Sequence, residues 1–467
     1  MTPRGRSGHG EPEAAATGDT VAMAYDRVRF IGYAVPTTPA DMIPVGDPNG
    51  TGAIAGTYRA AEDFAADIAT RAAALKVAVD TAKAVLPGDE PGVLNVFVAP
   101  EFFWHGTMGP YPHKPDEPDP GAEILDLLER TFPAAEYPDF LLVLGTVVSA
   151  EVADVDTMLS TTSARARNDI VRTLGESWNA ADGPLADVIF DTLVNFVKNC
   201  HAYPLMMVRN RALIISTTEV TGVQGEFTAT ALTTEKYFDS NEDFLLWDVT
   251  GRPVITEQMT AYAMIDISAG DLKRSPRDPY AIFRLPEGEA PGGDRVRPLD
   301  IAVEVCLDHA ADRIRKSIPH NRWPEPDGGI DLHLLPSCGM QVHHHSVGAR
   351  GGGWVFNCDG QYALGHGADA GDPQRGILDR VPSAYADYVD PADPVYGAHT
   401  QLARVRTSAV GSARNGTDAL DATFDPVPDV DVRVIAVEPS DGFAACFAGG
   451  PGAVHIYGLE TPLPLRR

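Results

Sequence analysis

Apolar and polar residues fall in alternating blocks along this 467-residue chain, and the blocks read as strands and helices in turn. Val28 to Tyr33 has the short apolar pattern of a strand and leads into a polar loop rich in Pro, Gly and Thr. Phe64, Ile68, Leu75, Val79 and Leu86 then recur at spacings of four and seven, on one face of a long helix that Pro87-Gly88 ends. Such a face covers a sheet. Val93 to Ala99 is a continuous, Val-rich apolar run, which fits a strand buried on both faces. Similar runs span Phe140 to Val148, Leu205 to Ser216, Ala261 to Ile267, Ile301 to Cys306, Leu332 to Leu335, Trp354 to Asn357 and Val432 to Val437. Strands interleaved with helices predict an α/β layered domain.

No internal repeat or long low-complexity linker interrupts this pattern, so residues 28–467 are read as one domain behind a disordered arm, residues 1–27. Two segments read as insertions. Residues 152–200 hold an amphipathic helix around Leu185 to Val197, and residues 268–297 are rich in Pro, Gly and charge, the composition of a loop.

Charge narrows the partners. A formal net charge of −28 excludes a nucleic-acid groove or an anionic membrane surface, which require clustered Lys and Arg. Asp372, Asp379, Asp387 and Asp390 lie in loops and read as a solvated face. The five cysteines, at positions 200, 306, 338, 358 and 446, lack the paired spacing of a zinc ribbon or disulfide framework, which implies a reducing compartment. The first 24 residues carry no apolar core of a signal peptide, and no apolar run of membrane-spanning length follows. The expectation is a cytoplasmic protein.

Three strand ends each offer one reactive side chain. In Val-Phe-Val-Ala-Pro-Glu-Phe-Phe-Trp, Pro100 turns the chain out of the sheet and leaves Glu101 at the strand terminus. Phe102, Phe103 and Trp104 would partly desolvate this carboxylate and raise its pKa towards neutrality, suiting it to general-base work. Taken alone, Glu101 is equally a solvated strand-end glutamate. In Asp-Ile-Ala-Val-Glu-Val-Cys-Leu-Asp-His, Cys306 ends another buried strand, at the sheet edge that usually presents catalytic groups. Taken alone, it is more readily a small buried hydrophobe.

Together, Pro-Glu-Phe-Phe and Glu-Val-Cys-Leu-Asp resemble the glutamate and cysteine signatures of the nitrilase superfamily, in that family's order. The family's lysine signature should lie between them, where Lys114, Lys198, Lys236 and Lys273 occur. Arg209-Asn210-Arg211-Ala212-Leu213-Ile214-Ile215, then Thr234-Glu235-Lys236-Tyr237-Phe238 and Glu242, resembles the family's asparagine-containing strand, turn, lysine and following glutamate. Leu141 to Gly145, Leu334-Leu335-Pro336-Ser337 and Ala349-Arg350 leading into Trp354 to Asn357 resemble further family segments.

The resemblance implies a four-layer α-β-β-α sandwich that pairs into a homodimer or larger homo-oligomer, with no metal and no organic cofactor. It implies that Cys306 attacks the substrate carbon, Glu101 accepts and returns a proton, and Lys236 stabilises the tetrahedral intermediate. The Leu307 N–H would be a second oxyanion donor, Glu242 would position substrate and lysine, and Trp104 and His309 would border the substrate. A protonated Lys236 would favour thiolate at Cys306. The substrate class is a small amide or nitrile. Glu304, two residues before Cys306 and so expected on the same strand face, resembles the Glu-x-Cys of amide-hydrolysing branches. His309-Ala310-Ala311-Asp312 replaces the family's Arg-Phe-Pro-Glu continuation.

Two rivals share these residues: an acyltransferase using the same Cys-linked intermediate, and an inactive interaction scaffold. His343-His344-His345, near His333, reads as a polar loop rather than a metal site, because adjacent histidines cannot all face one ion from regular structure.

Overall fold

The computed structural model describes residues 25–37, 41–44, 53–88, 90–107, 109–152, 173–178, 180–200, 206–236, 281–289, 293, 295–310, 312–314, 329–361, 398–410, 421–425, 430–447 and 449–465. The expected strand at 261–267, the Asp-rich loops, Glu242 and residues 1–24 lie outside them.

The helix expected from the four-and-seven spacing is α1 (Phe64–Lys83). Asp63 caps it by accepting the Ala66 N–H, and its buried face includes Leu75, Ala78, Val79 and Ala82. In α2 (Pro120–Thr131), Asp119 caps the first turn and Ile124, Leu125 and Leu128 are buried. The amphipathic helix of the first insertion is α3 (Pro184–Cys200).

The principal strands are β1 (Arg27–Ala34), β2 (Val93–Ala99), β3 (Phe140–Val152), β4 (Met206–Gly222), β5 (Thr228–Glu235) and β6 (Ile282–Leu285). They continue with β7 (Leu299–Val303), β8 (Ile330–Ser337), β9 (Ala349–Asp359), β10 (His399–Thr407), β11 (Val432–Ala436) and β12 (Ala453–Tyr457). All belong to one mixed sheet, in the order β10-β9-β8-β7-β6-β4-β3-β2-β1-β12-β11, with β5 paired to β4. The second insertion is therefore not wholly loop: its Ile282-Phe283-Arg284-Leu285 segment joins β7 to β4.

Two parallel triplets, β1-β2-β3 and β7-β8-β9, anchor this sheet. They face each other, as the Phe30 ring against that of Phe356 at 5.1 Å shows. Alternation along β2 explains its continuous apolar run. Val96 and Val98 join Ile301, Val303, Leu332 and Leu334 between the triplets, whereas Phe97 and Ala99 face a second core under α1 and α2. A third core covers the outer face of β7-β8-β9 with Ile314, Val342, Val347 and Val410, which come from turns and short helical pieces. The chain is thus a mixed α/β fold with a large sheet and few helices, one helical layer lying on the β1-β2-β3 side. Among the described residues, no helix is long and apolar enough to cross a membrane.

Candidate active site

Glu101 is held by backbone before its side chain is used. Pro100 ends the β2 ladder, and the Glu101 N–H donates instead to the Ser337 carbonyl at the end of β8, 3.2 Å away. The Thr37 hydroxyl donates to the Glu101 carbonyl at 2.6 Å. Phe102 follows at φ 57°, its N–H donating to Thr146 Oγ1. This tight path explains the glycine of Leu141 to Gly145: a Cβ on Gly145 would stand 2.5 Å from Phe103 Cβ and 2.9 Å from the Pro100 carbonyl.

Lys236 follows β5, and its N–H donates to the Asn210 carbonyl on β4 at 2.8 Å. Its Nζ donates to Glu101 Oε1 at 2.8 Å, with both side chains 0% exposed. The Asn210 side-chain amide donates to the same oxygen at 2.9 Å. Asn210 therefore holds the lysine through backbone and the glutamate through side chain. The sequence motif contains this residue without a role for it; the available signal was a lone amide between Arg209 and Arg211 in a strand, which burial obliges to find a partner. Arg209 and Arg211 steady the strand through Glu235 and Asp119.

Cys306 lies past the end of β7 at φ 44°, a left-handed conformation that only Phe102, Asp139 and Asp312 share among the described non-glycine residues. Strain of this kind collects where surrounding contacts over-determine the backbone. Its N–H donates to the Pro336 carbonyl at 3.1 Å, and its thiol donates to the Cys338 carbonyl at 3.7 Å. Burial pushes the Cys306 thiol well above its usual pKa, and the negative charge of Glu101 pushes further while Lys236 pulls down. Desolvation wins. The lysine favours thiolate, as expected, but burial outweighs it and favours the neutral thiol.

The short helix α4 (Leu307–Ala310) begins directly after Cys306. The Asp308 and His309 N–H groups donate to the Val305 and Cys306 carbonyls, while the Leu307 N–H makes no backbone hydrogen bond among the described residues. Arg313 bonds both Asp308 Oδ2 and the Glu235 carbonyl, each at 3.1 Å, tying the segment after Cys306 to the strand end that carries Lys236.

Three expectations are corrected. Trp104 is fully buried in the core under α1 and α2, its indole N–H on the Leu144 carbonyl, whereas Cys306 belongs to the core between the triplets. Phe102 takes the neighbouring place, with Lys236 Nζ 5.6 Å from its ring centroid. Glu304 does not share a face with Cys306. The strand ends at Val303, and the Glu304 carboxylate turns to His309 Nδ1 at 2.8 Å and His333 Nε2 at 2.9 Å. His309 is consequently buried in that cluster rather than open to a substrate.

Glu304, His309 and His333 bring three ligand-type atoms within 4.8 Å of one another. Tautomers argue against a metal ion there. His309 Nε2 accepts the His343 N–H at 3.0 Å, and His333 Nδ1 accepts the Gly348 N–H at 3.2 Å. The opposite ring nitrogens therefore carry the protons and donate to Glu304; metal-bound neutral imidazoles would turn N–H groups against those backbone donors. Turnover should accordingly be unchanged after treatment with EDTA and assay in metal-free buffer. Inactivation reversed by zinc would reinstate the histidine site.

The remaining described cysteines are free and buried. The Cys358 thiol donates to the Tyr33 carbonyl, the Cys446 thiol to Asp67 Oδ1, and Cys338 offers Cys306 its carbonyl rather than its sulfur. Serine at 338, 358 or 446 should keep at least half of the parent turnover, roughly, since none removes a reacting atom. Loss of activity in a folded Cys338→Ser protein would point to the wrong thiol. The Cys200 side chain lies outside the described residues. Comparison of the chain with protein-family models, curated proteins and solved structures gives no match.

Proposed function

We propose that this chain hydrolyses a non-peptide carbon–nitrogen bond, an amide in preference to a nitrile, through a thioester on Cys306, in the manner of the nitrilase superfamily it resembles. The observation that carries the reading is the fully buried Lys236–Glu101 pair at 2.8 Å, with the buried Cys306 thiol under the electrostatic influence of both. A carboxylate, a cation and a thiol from three distant segments, sealed from water, are the parts such chemistry requires.

Cys306 Sγ attacks the amide carbon as its proton passes to Glu101. Electron density moves to the amide oxygen, which Lys236 and the Leu307 N–H stabilise. Glu101 returns the proton to the nitrogen, the carbon–nitrogen bond breaks, and ammonia or an amine leaves. Water then attacks the thioester with Glu101 again as base, releasing the acid and the thiol. Glu242 belongs to this scheme as the glutamate that positions substrate and lysine. The preference for amides rests on the Glu304-Val305-Cys306 spelling, although Glu304 itself serves the histidine cluster.

The same reading carries the four-layer α-β-β-α arrangement, supported by two facing β layers and the α1-α2 layer, and a homodimer or larger assembly through outer helices. Free buried cysteines suit a reducing, cytoplasmic setting. The test is a panel of primary amides, nitriles and N-carbamoyl compounds assayed for ammonia, with Cys306→Ala as blank. Ammonia from at least one amide supports the reading; turnover only with an added acyl acceptor would favour acyl transfer.

A further inference from the structure

One of the two buried carboxylates that lie two residues from Cys306, Glu304, takes no part in the chemistry above. Glu304 is fully buried, and its carboxylate accepts from His309, His333 and the Ile314 N–H, the last at 2.9 Å on Oε1. Its backbone N–H donates to the Leu334 carbonyl at 3.0 Å. One side chain thus joins the end of β7, both sides of the nucleophile turn and β8. Through His309 and His333 it also reaches the backbone at His343 and Gly348. An ionised carboxylate is expensive to bury, and in this place it fastens a segment in which Cys306 and Asp312 both hold positive φ.

We propose that Glu304, acting through His309 and His333, is a positioning residue that keeps the Cys306–Leu307 turn in its strained, reactive form. The proposal rests on Cys306 as nucleophile, yet its readout requires no substrate. Without the carboxylate, the left-handed turn relaxes, Cys306 leaves its buried place beside the Cys338 carbonyl, and the Leu307 N–H swings from the oxyanion position. Among the described residues, the charged and titratable groups facing Cys306 are Glu101 from the loop after β2, Lys236 from the end of β5 and Cys338 from the end of β8. Desolvation outweighs them, so exposure of the thiol moves its titration down, towards the ordinary cysteine range.

The experiment is iodoacetamide alkylation of the Cys306 peptide in the full-length chain, followed by mass spectrometry from about pH 6 to about pH 10, across the ordinary cysteine range. The parent should react only towards the alkaline end. Glu304→Gln turns an amide N–H₂ on either the histidine donors or the Ile314 N–H, and should shift the profile down by about one pH unit or more. His333→Leu should do the same. His333→Gln keeps an N–H donor at the Nε2 position and should follow the parent, although it loses the Gly348 contact.

If Glu304→Gln does not fold, the His333 pair carries the comparison. A merely structural cluster would lower the unfolding midpoint of these variants and leave the alkylation profile unmoved; that result overturns the proposal. So does His333→Gln behaving like His333→Leu, or one equivalent of bound zinc in the parent whose removal shifts the profile. If the Cys306→Ala protein still turns over the amide panel, the hydrolase reading fails, and the alkylation comparison still decides whether Glu304 holds the turn.

Discussion

Cys306→Ala is expected to abolish turnover, by roughly four orders of magnitude or more, while leaving the fold intact. The size of the loss follows from what the sulfur does. In the proposed reaction Glu101 moves a proton and Lys236 steadies an oxyanion, and without a nucleophile there is no intermediate for either to serve. The structural cost is small, because the side chain is compact and its contact to the Cys338 carbonyl is long, at 3.7 Å. Truncation of one sulfur in a packed core should cost about 1 kcal/mol. Ammonia release and urea unfolding measured on the same preparation separate the two effects. Residual activity near that of the parent would remove Cys306 from the mechanism.

Lys236→Met should be nearly as severe and for two separable reasons. Loss of one preorganised donor to an oxyanion typically lowers kcat by about 10²–10³-fold. The substitution also leaves Glu101 as a buried carboxylate without its cation, the Asn210 amide still donating to Oε1. Breaking a buried pair in this way costs about 3–5 kcal/mol of stability. The double variant Glu101→Gln with Lys236→Met removes both charges, so it should regain most of that stability while remaining inactive. Equal stability of the single and double variants would mean that the 2.8 Å pair contributes little to the fold; recovered turnover would mean that it contributes nothing to the reaction.

Much of this arrangement was legible along the chain. Val93–Ala99 forms the strand its apolar run predicts, with the same bounds, because both ends are apolar and buried and its one polar residue, Asn95, lies inside. Glu101 and Lys236, both at strand ends, form a buried pair. Other features depended on contacts that no local pattern carries. β6 is four residues between Pro- and Gly-rich flanks, and its place in the sheet comes from pairing with β7 and β4. β5 reads Thr-Ala-Thr-Ala-Leu-Thr-Thr-Glu, too polar to resemble a buried strand, yet it delivers Lys236 to the site.

Glu304 shows where a rule lapsed. Alternation holds along a strand, but β7 stops at Val303, and the irregular backbone from there to a left-handed Cys306 sends the two side chains to different surroundings. Trp104 failed for a similar reason: Phe102 at φ 57° directs the following aromatics beneath the helices. Asn210 was visible as a motif letter, and its role emerged only with Glu101 beside it.

The central claim is a covalent bond between substrate and Cys306. The most direct measurement is acid quenching of the full-length chain during turnover of a primary amide from the panel, followed by mass spectrometry of the Cys306 peptide. The predicted result is an added acyl mass on that peptide, with ammonia released before the acid product and no such adduct on the Cys306→Ala protein. Ammonia and acid formed together at the parent rate, with Cys306 unmodified throughout and its alanine variant equally active, would contradict the account.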